Sequence, residues 1–133
     1  SSAVSDFTDA AFEQEVLNAS TTVLVDFWAP WCGPCRLMAP LMDWASETYT
    51  DRLLVGKLEV DGNPITRDGF KVQGIPTLIL FRNGQEIARH EGAIARPQLQ
   101  AILDATSKRL ARLGSEKIKH NKQRKHHHKH KEK

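Results

Sequence analysis

The chain holds two cysteines, Cys32 and Cys35, separated by Gly33-Pro34. Two intervening residues let the sulfurs come within bridging distance. The pair falls where a β-branched and aromatic run, Thr22 to Trp28, gives way to a helical pattern beginning near Cys35. The first sulfur should therefore face solvent at a helix N-terminus, where unpaired amides and the helix dipole favour a thiolate and lower its pKa below that of a free thiol. Such a pair suits dithiol-disulfide exchange: Cys32 attacks a substrate disulfide, and Cys35 resolves the mixed disulfide. Competing readings fit less well. A purely stabilising bridge gains little entropy from so small a loop. Zinc would need more ligands, and His90 is the only histidine before residue 117. Covalent haem attachment needs a histidine where this chain has Arg36.

Other residues could assist. Asp26 alternates onto the same strand face as Leu24 and Trp28, which places a carboxylate among large apolar side chains. Burial would raise its pKa and make it a proton acceptor for Cys35; the plainer reading is a carboxylate at a strand end. Lys57 is a charge inside the apolar stretch Leu54-Val55-Gly56-Lys57-Leu58, and its stem could also cross the sheet to bring the ammonium to water. Trp28 reads as packing, and Trp31, outside the strand and beside the nucleophile, as an exposed substrate contact.

The elements that must position these groups follow from periodicity. A short strand spans Val4 to Phe7, and Thr8 caps a helix from about Asp9 to Leu17, with Phe12, Val16 and Leu17 at helical spacing. Thr22 to Trp28 is a central strand. A helix from Cys35 to Tyr49 contains Pro40, which should kink it. Leu53 to Val60 is a strand stopped by Asp61-Gly62-Asn63-Pro64, and a short helix over Ile65 to Phe70 follows. Thr77 to Arg82 and Glu86 to Glu91 form a hairpin through Asn83-Gly84. The last helix starts near Pro97, with Ala95 where a capping hydroxyl is usual, and runs through Leu113 to a stop at Gly114. This order describes an α/β sandwich with a mixed central sheet.

A length of 133 residues suits one core. Residues 1–113 carry 11 Lys+Arg against 14 Asp+Glu, a net −3; residues 114–133 carry 8 against 2, a net +6. We therefore read a mildly acidic domain over 1–113 and a basic, disordered tail over 114–133. The tail suits a solvated extension, a tether for an anionic partner, or a weak metal-binding tract through His126, His127, His128 and His130. No apolar run is long enough to span a membrane. Ser1 to Asp6 has no basic region followed by an apolar stretch, so the expected location is cytoplasmic, or the plastid stroma for a processed mature form.

The stretch Val25-Asp26-Phe27-Trp28-Ala29-Pro30-Trp31-Cys32-Gly33-Pro34-Cys35 resembles the active-site segment of the thioredoxin family. Similarity continues through Lys57, Asp61, Gly74-Ile75-Pro76-Thr77, Asn83-Gly84 and Gly92, and covers roughly Phe7 to Leu110. The region from Asp43 to Pro64 is nearest to bacterial, cyanobacterial or plastid forms. The resemblance implies a thioredoxin fold, with about five strands flanked by four helices, and reduction of protein disulfides through a redox-active Cys32-Cys35 disulfide with no bound cofactor or metal. It places Lys57 beside Asp26 as its partner and makes Pro76 a cis-proline facing the cysteines; from the residues alone, a cis bond at Ile75-Pro76 is merely inexpensive. It also implies substrate docking by the backbone of Gly74 and Ile75, with Trp31, Gly33, Pro34, Pro76, Gly92 and Ala93 completing the contact surface. Gly33-Pro34 resembles the reducing members, whereas related oxidases and isomerases carry a histidine there; lacking that cation, the disulfide should be less oxidising. The implied partners are target proteins with disulfides and a thioredoxin reductase, NADPH- or ferredoxin-dependent, acting on a monomer. The rival reading is a redox-independent binding module tethered to an anionic scaffold by its tail.

Overall fold

The computed structural model describes residues 3–113. They fall into two units, one ending at Ile94 and one beginning at Ala95. The first is built on five strands: β1 (Ser5–Asp6), β2 (Thr22–Trp28), β3 (Leu53–Glu59), β4 (Thr77–Arg82) and β5 (Gln85–Glu91). Their spatial order is β1-β3-β2-β4-β5. The β1/β3 and β2/β3 pairs are parallel, and β2/β4 and β4/β5 antiparallel. β2 is central, and Thr22 through Phe27 are all buried, as its nearly unbroken apolar run requires. Asn83 and Gly84 close the β4-β5 hairpin with φ of 54° and 77°, the positive angles that such a turn demands.

The first helix differs from its expected form. In place of regular helix from Asp9, a π-helical segment spans Glu13–Leu17, and the Asn18 amide reaches back to the Glu13 carbonyl at 2.8 Å. Thr8 Oγ1 still accepts from the Ala11 amide at 3.3 Å. Asp9, however, is engaged by distant groups: its carboxylate accepts from the amides of Ile65 and Thr66 and from the Thr66 hydroxyl, at 3.1, 2.8 and 2.6 Å. Its own amide donates to Asn63 Oδ1 at 2.8 Å. Capping another helix draws Asp9 out of its own first turn.

A second difference lies after the cysteines. The expected continuous helix splits into a 3₁₀ turn, Pro34–Leu37, and helix α1, Ala39–Thr48. Pro40 therefore lies in the first turn of α1, where its missing N–H leaves no bond unmade, and does not kink a helix from within. Helix α2 spans Pro64–Gly69.

Phe12 is a hub of the core, with its ring centroid 6.4, 5.6 and 5.5 Å from those of Phe7, Phe70 and Phe81. A Cβ at position 56 would collide with the Phe7 ring, which accounts for glycine inside β3.

The second unit is helix α3, residues 96–113. Ala95 offers no capping hydroxyl, but its amide donates to Gln98 Oε1 at 3.2 Å, which supplies the reciprocal half of a capping box. Leu99 and Leu103 are its buried hydrophobic residues among those described. Gly114 and the basic tail lie outside the described residues. No described helix is long and apolar enough to cross a membrane.

Candidate active site

The cysteines follow β2 directly. Beyond Trp28 the Cys32 amide donates to the Ala29 carbonyl at 3.1 Å, and Pro34 then starts the 3₁₀ turn. Cys32 and Cys35 are joined by a disulfide with their Cα atoms 5.4 Å apart. Burial does not distinguish them, since Cys32 is 5% exposed and Cys35 6%. The expectation of a solvent-facing Cys32 is corrected accordingly: the residue is buried, and its Sγ lies 3.7 Å from the Ile75 carbonyl oxygen. Hydrogen bonding does distinguish them. The Cys35 amide donates to Cys32 Sγ at 3.3 Å, so negative charge left on Cys32 when the bridge opens meets a donor already in place.

On one side of the bridge lies exposed backbone. The Ile75-Pro76 peptide is cis, as the family resemblance implied. The Thr77 hydroxyl donates to the Gly74 carbonyl at 2.5 Å, and the Gly92 amide to the Pro76 carbonyl at 2.8 Å. Gly92 has φ of 91°, where a side chain would be strained. Gly33, Pro34, Gly74 and Ala93 are exposed, and Ile75 is half-buried. A Cβ at Gly33 or Gly74 would meet open space. Trp31 is 69% exposed, yet its orientation is set by its indole N–H, which donates to Asp61 Oδ2 at 2.7 Å.

The other side is closed in. Asp26 is 4% exposed, and its Oδ1 has no hydrogen-bond partner among the described residues. Burial pushes its pKa up to about 7, against the pull of Lys57. Lys57 is its register partner across β2 and β3. The lysine ammonium turns to the sheet edge, 3.9 Å from Asp6 Oδ1 and 5.0 Å from the centre of the Trp28 ring, and acts on Asp26 through space. Asp26, Lys57 and Cys35 line one cavity of about 550 Å³, with Trp28, Asp6 and Asp43 among its other walls. The buried carboxyl thus opens onto the same space as the second cysteine.

The roles of two residues escaped the sequence reading, although Asp61 was among those that carried the resemblance. Asp6 pairs with Lys57 only because of the β1/β3 register, which no local pattern announces. Asp61 had a usable signal: the parallel register sets Trp28 opposite Glu59, so the residues just past these strand ends, Trp31 and Asp61, emerge together. Among the described residues, no group of three or more His, Cys, Asp or Glu could hold a metal ion.

The thioredoxin family profile matches residues 3–105. A thioredoxin-like protein of Synechocystis sp. is 52% identical over 98 residues, which is 74% of this chain and 90% of that protein. The thioredoxin of Pseudomonas aeruginosa is 50% identical over 98 residues, 74% of this chain and 91% of its own length. Thioredoxin 1 of Synechococcus elongatus is 46% identical over 97 residues, 73% of this chain and 91% of its own. These similarities, together with the formed bridge, favour exchange chemistry over a redox-independent binding module. The chain therefore belongs to the thioredoxin family, and its activity is the thiol-disulfide exchange that reduces protein disulfides through Cys32 and Cys35.

Proposed function

We propose the following division of labour within that exchange. In the dithiol form, the Cys32 thiolate attacks one sulfur of a partner disulfide; that bond breaks, the other partner sulfur leaves as a thiolate, and a mixed disulfide forms. Asp26 accepts the Cys35 proton across their shared cavity, with Lys57 tempering the carboxylate's charge. The Cys35 thiolate then attacks Cys32 Sγ and releases the second partner sulfur, so the partner gains two electrons and this chain closes its bridge. The observation that carries this reading is the donor on Cys32 Sγ together with a buried carboxyl, one oxygen of which has no partner among the described residues, that shares a cavity with Cys35.

Docking falls to the backbone of Gly74 and Ile75, with Trp31, Gly33, Pro34, Gly92 and Ala93 forming the contact surface and Pro76, which is buried, lying beneath it. Residues 1–113 form the catalytic domain, and 114–133 an appendage. The basic, histidine-rich composition of this appendage suits an anionic partner or a weakly held metal. A flavoprotein reductase using NADPH or a ferredoxin-dependent reductase restores the dithiol, and a reducing compartment, cytoplasmic or stromal, suits such a chain. Insulin reduction with dithiothreitol tests the assignment: Cys32→Ser should show no turnover above background, and a rate equal to wild type would end the claim. Presenting each reductase type in turn identifies the electron donor.

A further inference from the structure

We propose that Arg89 is a positioning residue for the substrate-docking loop, holding the turn from which Val72 to Pro76 emerges. The inference rests on the reading of Gly74 and Ile75 as docking backbone.

Beyond α2 the chain reverses at Lys71, whose φ is 56°, a left-handed conformation that glycine usually supplies. Two backbone bonds close this turn, Lys71 N–H to Asp68 O at 3.1 Å and Val72 N–H to Arg67 O at 2.9 Å. This is the Schellman pattern with a lysine in the glycine position. Both carbonyls flanking the reversal accept from one guanidinium on β5: Arg89 Nη1 reaches Lys71 O at 3.4 Å, and Nη2 bonds Phe70 O. The guanidinium is itself held in a fork, with Nε 3.0 Å from Glu86 Oε2 and Nη2 2.7 Å from Glu86 Oε1. Glu91 lies 3.8 Å from Nη1. A planar, doubly bonded guanidinium presents its remaining donors in a fixed direction, which a lysine cannot do.

The consequence lies further along the loop. At its far end, the Pro76 carbonyl is bonded by the Gly92 amide. The segment between is therefore tied to the β5 side at two points, through Arg89 before it and through Gly92 after it. With the Arg89 tie gone, Lys71 has less to hold it in an unfavourable conformation, and the carbonyl of Ile75 beside Cys32 Sγ loses its fixed approach.

The test is insulin reduction resolved into KM and kcat, with thermal unfolding measured on each variant. Arg89→Met should raise KM for insulin about fivefold with kcat within about twofold of wild type. Adding Lys71→Gly, which makes the left-handed turn unstrained, should restore most of that loss. Arg89→Lys, which cannot serve both carbonyls, should fall between, and it supplies the reading if Arg89→Met does not fold. An unchanged KM in a folded Arg89 variant, or no recovery with Lys71→Gly, overturns the proposal. Gly74→Val separates the two layers, since a Cβ at this position meets open space in the free protein whereas the added bulk would obstruct a docked segment. If Gly74→Val leaves KM unchanged, the docking reading itself fails; if it raises KM while Arg89→Met does not, only the clamp is lost.

Discussion

The two sides of the Cys32-Cys35 bridge are made of opposite materials. On one side are exposed backbone and an exposed indole: Gly74, half-buried Ile75, Gly92 and Trp31, fixed by the Gly92 amide, the Thr77 hydroxyl and the Asp61 carboxylate. Behind the bridge a carboxyl with 4% exposure waits beside a cavity, with one oxygen unpartnered. On the proposed division of labour, the first side would recognise shape and spare hydrogen-bonding groups, which many protein segments offer. The second would manage one proton. Changes to the front should alter which partners react and at what concentration, whereas changes to the back should alter how the reaction depends on pH.

The largest expected effect removes the handover between the two sides. Cys35→Ser should stop the reaction at the mixed disulfide, so partner proteins stay covalently attached through Cys32 and are released by added thiol on a non-reducing gel. A redox-independent binding module would retain partners without any such bond.

Next comes Asp26→Ala, which should slow resolution of the mixed disulfide about 10- to 100-fold while leaving partner docking intact. Stopped-flow tryptophan fluorescence should show wild-type resolution speeding up as pH rises through about 7, the pKa of Asp26. In the variant that rise should flatten. An identical profile in both proteins would remove Asp26 from the mechanism.

The same carboxyl bears on stability. Its folded pKa of about 7 lies above the ordinary 3.8, so between these values the folded chain keeps a proton that the unfolded chain has released. Stability of the oxidised form therefore falls as pH rises through this window and levels off above it. Asp26→Ala should raise the unfolding free energy by about 4 kcal/mol at pH 8, with most of the gain gone near pH 4; guanidinium titrations at the two pH values measure it.

The smallest effect belongs to the front. Asp61→Ala frees the Trp31 indole and should raise KM for insulin by about twofold, with kcat and the pH profile unchanged. A shifted pH profile would show that the two sides are not independent.

Much of this division was legible in the residues. Asp26 stood out because a charge in the middle of Thr22 to Phe27 contradicts its neighbours, and Asn83-Gly84 signalled its hairpin because few other pairs tolerate those angles. What stayed hidden depends on partners distant in sequence. Asp9 looked like a helix residue until Thr66 and Ile65 claimed its carboxylate. Lys57 looked like a direct mate for Asp26, and only the β1/β3 register offers its ammonium Asp6. Periodicity reports which face a residue occupies; it carries no information about which strand will lie alongside.

With both cysteines nearly flush with their surroundings, at 5% and 6% exposure, the bridge offers little that could enter a recess. A cystine must be carried to it on a convex, pliable stretch that can be laid against the notch. On the docking proposed above, bridges locked inside a partner's interior would be passed over however reducible they are, so selection would act on the topography around a bond before its potential is consulted.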